Sequence, residues 1–216
     1  MPNKKSLKIT EIFNSIQGET SKIGLPTVFI RLTGCPLRCQ YCDTSYAFYG
    51  GTVMLFEDII QQVTKFHCKD VCVTGGEPLA QSGSKKLLKE LVDLDYHVSL
   101  ETGGSINLEG IDERVKIIMD IKTPDSDEST KNRWGNIGEL KKSDELKFVI
   151  CSREDYQWSK TIIEKYKINE ICPVLFSPCS ELLDPKDLAE WILADQLPIR
   201  FQIQIHKILW DNQPGR

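Results

Sequence analysis

Residues 28–42 read Val-Phe-Ile-Arg-Leu-Thr-Gly-Cys-Pro-Leu-Arg-Cys-Gln-Tyr-Cys. Val28 to Thr33 has the β-branched and aromatic character of a strand, and Gly34 and Pro36 then break the extended run. The stretch predicts a strand opening directly into a loop that carries three thiols, Cys35, Cys39 and Cys42. Beyond it the pattern alternates. Phe56 to Phe66 reads as a helix, Asp70 to Thr74 as a strand, Lys85 to Leu94 as a helix, and His97 to Glu101 and Val115 to Asp120 as strands. Glu145 to Ile150 (strand), Glu154 to Tyr166 (helix), Ile171 to Phe176 (strand), Pro185 to Leu193 (helix) and Ile199 to Ile205 (strand) continue the series. About six β-α alternations predict an α/β fold, a shortened or partial β/α barrel, because the chain is short for a complete eightfold one. In such barrels chemistry sits at the C-terminal ends of the strands, where this loop emerges.

A chain of 216 residues with 40% hydrophobic content can bury a sizeable core and is expected to be one catalytic domain, residues 1–216. The net charge of -4 and pI near 5.5, with bases interleaved among acids, leave no basic stripe for direct contact with nucleic acid. The N-terminus has no charged-then-apolar leader pattern, and no apolar run approaches the roughly 18 residues of a membrane span. These features predict a cytoplasmic protein without membrane contact. The polar stretch Thr123 to Asn136 has no periodicity and is expected to form a surface loop or lid.

Eight cysteines could frame a small secreted domain, but three of them fall within eight positions here and the chain is longer than such domains. Metal-binding thiols fit better. Cys68, Cys72, Cys151, Cys172 and Cys179 lie in or beside apolar runs and are expected to be small buried hydrophobes. Thiolates suit zinc as well as iron-sulfur clusters. A closed zinc site would need a second pair, for which Cys68 with Cys72 or His67 is the nearest, and would make the chain a zinc-stabilised interaction domain. Three thiolates at intervals of four and three suit instead a [4Fe-4S] cluster with one iron left open to chelate a substrate. The amino and carboxylate groups of S-adenosylmethionine (SAM) are suitable chelators. One electron into its sulfonium would release a 5'-deoxyadenosyl radical, with the protein supplying position and dryness.

On these residues the chain resembles the radical SAM superfamily, whose Cys, three residues, Cys, two residues, Cys signature is met by Cys35, Cys39 and Cys42, with the customary aromatic at Tyr41. A second signature, Thr74-Gly75-Gly76-Glu77-Pro78, follows the strand Asp70 to Thr74. The resemblance implies that Gly75, Gly76 and Glu77 form the segment facing the cofactor's amino group. It also implies that Asp120, Ile121 and Lys122 face the adenosyl part.

Asn14-Ser15-Ile16-Gln17-Gly18-Glu19-Thr20, Phe29-Ile30-Arg31-Leu32, Cys42-Asp43-Thr44 and the C-terminal Arg200 to Lys207 resemble the 7-carboxy-7-deazaguanine synthase family. That resemblance implies ring contraction of 6-carboxy-5,6,7,8-tetrahydropterin with loss of ammonia. It also implies Mg2+, a homodimer, and an electron donor such as flavodoxin or ferredoxin. The implied substrate contacts are Ile16, Gln17, Gly18, Glu19, Arg31 and Thr74, with Thr44 on Mg2+. An arginine fork matches a carboxylate. Without the resemblance, the favoured readings are an Arg31 held in a surface ion pair and a Thr44 that caps the turn after Cys42. An activating enzyme for a glycyl-radical protein would use the same cofactors, but that group usually follows its third cysteine with His-Asn, where this chain has Asp43-Thr44.

Overall fold

The computed structural model describes residues 5–211 and 213–215, so the expected domain limits, 1 and 216, lie outside the described residues. The chain begins with an antiparallel pair, β1 (Ser6–Ile16) and β2 (Pro26–Leu32), and β3 (Thr52–Leu55) lies antiparallel on the free side of β1. From β2 onward the sheet is parallel: β4 (Asp70–Gly75), β5 (His97–Thr102), β6 (Lys116–Ile121), β7 (Glu145–Ile150), β8 (Val174–Pro178) and β9 (Arg200–Phe201). The nine strands run in the order β3-β1-β2-β4-β5-β6-β7-β8-β9, an open partial barrel. Helices α1 (Phe56–Thr64), α2 (Ser84–Asp93), α3 (Arg153–Tyr166) and α4 (Pro185–Ala194) carry crossovers, and α5 (Ile205–Trp210) follows the last strand.

Strand side chains alternate between two faces, and here the faces differ in chemistry. Ile30, Val73, Leu100, Met119, Phe148 and Phe176 point out and pack with Ile59, Leu88, Leu91, Tyr156 and Leu188 of the helices into the apolar core. The opposite face carries Arg31, Thr74, Glu101, Asp120 and Lys147, all lining one cavity. Ile121 falls on the apolar side, 1% exposed within the core. Its side chain is therefore turned away from the cavity, and only its backbone is left to meet a cofactor there: in a strand, Asp120 and Lys122 can share the inner face only if the Ile121 side chain leaves it.

Two crossovers lack helices. Between β5 and β6 the chain runs as a loop, and between β6 and β7 it forms short 3-10 turns at Pro124–Ser126, Ser129–Lys131 and Trp134–Glu139. This second segment, expected as a surface loop or lid, is a loop fastened to the wall like a belt. Asn132 clamps the backbone of Lys122, accepting from its N–H at 2.9 Å and donating to its C=O at 2.8 Å. Asn136 donates to the carbonyls of Gly104 and Ile106 and accepts from the N–H of Leu108. Both asparagines are buried. The run Ile199 to Ile205, expected as one strand, pairs only at Arg200 and Phe201. Beyond them the Gln202 side chain accepts from the Thr20 N–H, and the Ile205 N–H donates to the Gly18 carbonyl, so the chain leaves the sheet edge for the β1-β2 loop and turns into α5.

Candidate active site

At the C-terminal ends of the parallel strands the inward residues enclose a cavity of about 500 Å³, a size suited to small molecules. Ile16, Gln17, Gly18, Glu19, Arg31, Cys35, Cys39, Tyr41, Cys42, Thr44, Thr74, Gly75, Gly76, Asp120 and Lys122 all line it. Glu77 does not. It is fully buried behind the wall, where its carboxylate accepts from the N–H groups of Leu79 and Gly103 and the Thr102 hydroxyl. Glu77 thus ties the end of β4 to the end of β5.

The three cysteines open into this one cavity. The Leu37 N–H points at the Cys35 sulfur at 3.4 Å, an orientation that favours a thiolate. Burial raises the Cys35 thiol and takes Cys39 up to about 11, with Lys122 pulling the other way, so metal binding there must displace protons. The loop is set against β4 by backbone bonds from Gly76 to Leu32 and from Glu77 to Gly34, at 3.1 and 2.8 Å. A Cβ on Gly76 would stand 2.3 Å from the Gly34 carbonyl and 2.9 Å from the Cys35 Cβ, so glycine is what allows the two loops to close together.

Among the described residues no three His, Cys, Asp or Glu side chains converge as a single metal ion requires. A cuboidal cluster asks for a different geometry, one thiolate per iron from separated sulfurs. Cys68 cannot join a zinc site with this loop, since it precedes β4 and donates to the Pro26 carbonyl at the start of β2, at the far end of the strands. Beside the cysteines, Asp120 Oδ1 and Tyr41 Oη are buried without a hydrogen-bond partner among the described residues. Such orphaned groups call for a bound partner. The thiol set and these two polar atoms fit a [4Fe-4S] cluster with a polar ligand beside it.

A row of paired charges starts beside the cysteines and runs along the inner strand face. Lys122 meets Asp120 at 3.0 Å, and Lys147 stands 3.8 Å from Asp120 and 2.6 Å from Glu19. Burial opposes the charge on Glu19, yet Lys147, Gln204 and His206 bring its carboxyl down to about 2. Burial likewise works against the Lys147 ammonium, and Glu19 and Asp120 hold it above the usual lysine value. Glu101 accepts weakly from Gln17 Nε2 at 3.4 Å and from the Thr74 hydroxyl at 3.2 Å.

Arg31 donates from Nε to Glu11 at 2.7 Å and lies over the rings of Phe13 and Tyr46, and Tyr46 also donates to Glu11. A bulge in β1 between Ile9 and Glu11 brings Glu11 opposite Arg31. The guanidinium is thus gripped from one side. Its two terminal nitrogens make no hydrogen bond to the described residues. Thr44 does not cap the turn Ser45–Phe48 with its side chain, and its hydroxyl lies 3.8 Å from the Cys42 sulfur.

The profile of the Radical SAM superfamily matches residues 29–171. Curated 7-carboxy-7-deazaguanine synthases are similar over nearly their full length. That of Chlorobaculum tepidum is 44% identical, covering 98% of this chain and 97% of its own, and that of Koribacter versatilis is 38% identical, covering 94% and 97%. The chain belongs to the 7-carboxy-7-deazaguanine synthase family of radical SAM enzymes. The crystal structure of QueE from Escherichia coli shares the fold, with a TM-score of 0.77 at 19% identity over 92% of this chain and 94% of that one. Streptococcus suis SuiB bound to S-adenosylmethionine matches with a TM-score of 0.57 at 15% identity, covering 79% of this chain and 45% of that one. As a radical SAM lyase, the chain is of a type that carries a [4Fe-4S] cluster and SAM.

Glu11, Glu101, Lys147 and Gln204 are site residues that the sequence reading missed. A signal existed for two of them. Parallel strands are buried on both faces and read as apolar runs, so a charged residue inside one, such as Glu101 or Lys147, marks a strand lining a polar interior. Glu11 and Gln204 carry no comparable mark, because their roles arise from a bulge and from the chain leaving the sheet.

Proposed function

We propose that the protein, one catalytic unit over residues 1–216, converts 6-carboxy-5,6,7,8-tetrahydropterin to 7-carboxy-7-deazaguanine, contracting the ring and releasing ammonia, in the biosynthesis of queuosine-type 7-deazapurines. The observation that carries this reading is the opening of the three cysteines and the Arg31 fork into one cavity. When bound, the reduced cluster and SAM supply the radical that begins the reaction. Cys35, Cys39 and Cys42 would hold the cluster. The N–H groups of Gly76 and Glu77 are spent on the carbonyls of Leu32 and Gly34, so that segment has carbonyls to offer, as the cofactor's amino group needs. Asp120 Oδ1 supplies a second acceptor beside it.

On the substrate side, the terminal nitrogens of Arg31 take the carboxylate, while Gln17, Glu19 and the backbone at Ile16 and Gly18 take the amino-lactam edge. Thr74, opposite Arg31 in the sheet register, stands at the ring. The Thr44 hydroxyl would be the protein's ligand to Mg2+, a hard ion that takes oxygen donors. A homodimer and a small electron-transfer protein, flavodoxin or ferredoxin, complete the working system.

The decisive experiment is anaerobic incubation of the iron-loaded protein with SAM, reductant, Mg2+ and the carboxy-tetrahydropterin, with the product identified by mass. Arg31→Ala should keep the cluster and lose well over tenfold in turnover, because the loss of a desolvated charge partner costs about 2 to 5 kcal/mol. Arg31→Lys should recover part of it, keeping charge without the fork. Cofactor cleavage with no deazaguanine product from the wild-type protein would refute the substrate.

A further inference from the structure

We propose that Lys147 is a positioning residue: standing between Glu19 and Asp120, its ammonium fixes Glu19 as a permanently ionised acceptor for the N–H edge of the bound heterocycle. The inference rests on the reading that a carboxylated pterin occupies this cavity. Lys147 is on the inner face of β7, and its side chain is 11% exposed against 10% for Glu19. Among the described residues it is the only cation paired with Glu19, at 2.6 Å, and the other carboxylate oxygen receives the Gln204 amide.

The neighbours fix where Lys147 points. Asp120 on β6 lies 3.8 Å away but is already met by Lys122 at 3.0 Å, so Lys147 is drawn mainly to Glu19. His206 on α5 also acts on Glu19, and Glu101 on β5 adds a further negative charge near Lys147. Charges of alternating sign thus run from Glu19 through Lys147 and Asp120 to Lys122.

The chemistry depends on that cation. A buried carboxylate with no partner takes up a proton. The neutral acid presents a hydroxyl donor on one oxygen, which opposes the two N–H donors of an amino-lactam edge. Paired with Lys147, Glu19 keeps acceptor lone pairs on both oxygens. The ammonium need not touch the substrate to act.

The test compares the iron-loaded wild-type protein, Lys147→Met, Lys147→Arg and the double variant Lys147→Met with Glu19→Gln. Lys147→Met should raise KM for the carboxy-tetrahydropterin on the order of tenfold or more with a smaller change in kcat. Its kcat/KM should also acquire an acid limb absent from the wild type: without the cation, burial raises the Glu19 carboxyl, so activity falls as pH is lowered toward neutrality and returns as pH rises. Lys147→Arg should restore the wild-type profile. The double variant, which strands no charge, should fold and lack the acid limb. Wild-type KM and an unchanged pH profile in Lys147→Met overturn the inference. If the wild type itself does not turn over the pterin, the substrate reading fails separately. The ionisation of Glu19 is then read by infrared carboxyl absorption, subtracting the double variant from Lys147→Met. A carboxyl still ionised at pH 6 in that difference overturns the role of Lys147 whatever the substrate.

Discussion

Glu11 shows how much of this site depends on residues that never face the reacting centre. It grips Arg31 through Nε and accepts from Tyr46, so the guanidinium presents its far edge to the cavity. Glu11→Gln keeps the arginine charge but weakens the grip, and KM for the carboxylated substrate should rise several-fold in steady-state assays with iron content unchanged. The cysteines make the opposite case. Cys35, Cys39 and Cys42 stood out because three thiols crowded into eight residues suit a metal, and the structure brings them to one cavity; if they hold the cluster, replacing any one by Ala should abolish the brown iron-sulfur absorbance. Cys151→Ala should leave that spectrum intact, because Cys151 is buried outside the cavity lining. A full chromophore in Cys42→Ala would remove it as a ligand. Arg31 and Thr44 were readable as residues but not as geometry. Sequence could not tell a structural ion pair from a substrate clamp, and the structure shows that Arg31 makes such a pair while leaving its fork open.

Elements were legible where both periodicity and length were clear. β7 has the boundaries expected, Glu145 to Ile150, and α3 starts one residue earlier than expected because Ser152 supplies the N-cap, accepting from the Asp155 N–H at 3.2 Å. The failures have physical causes. Ile199 to Ile205 alternates like a strand, but a strand needs a partner, and β8 offers one only as far as Phe201. The belt between β6 and β7 has no repeat to read, because its order comes from two asparagines that bind distant backbone. This gives a prediction at the same scale. Asn132→Ala leaves a buried N–H and C=O of Lys122 unpaired and should cost about 2 to 4 kcal/mol in denaturant unfolding. Since Lys122 lies beside Tyr41 and Asp120, the same variant should also weaken SAM binding. Undiminished stability in Asn132→Ala would show that the belt is loose.

Over the whole molecule, the core lies outside the barrel wall and the charges lie inside it, so acid acts on the inside first. Burial lowers His206 below the usual histidine value of 6.5. The unfolded chain then takes up a proton that the folded one resists, and stability should drain as pH falls below 6.5. Glu19 behaves differently. Its carboxyl is held near 2 against an ordinary 4.5, so its contribution is complete above 4.5 and lost only as pH falls toward 2. Thermal unfolding should therefore show a first decline that begins as pH falls below 6.5 and that His206→Gln removes, and a later acid loss that it does not. The same architecture has a consequence in time. The wall carrying Gln202, Gln204 and His206 docks onto Gly18 and Thr20, yet it lies some 160 residues after Cys42. At ordinary translation speeds the ribosome needs roughly 8 to 30 s to cover that distance. For that interval the nascent chain presents its cysteine loop with one side of the chamber unbuilt, because Gln204 and His206, which line the finished cavity, are still to be made.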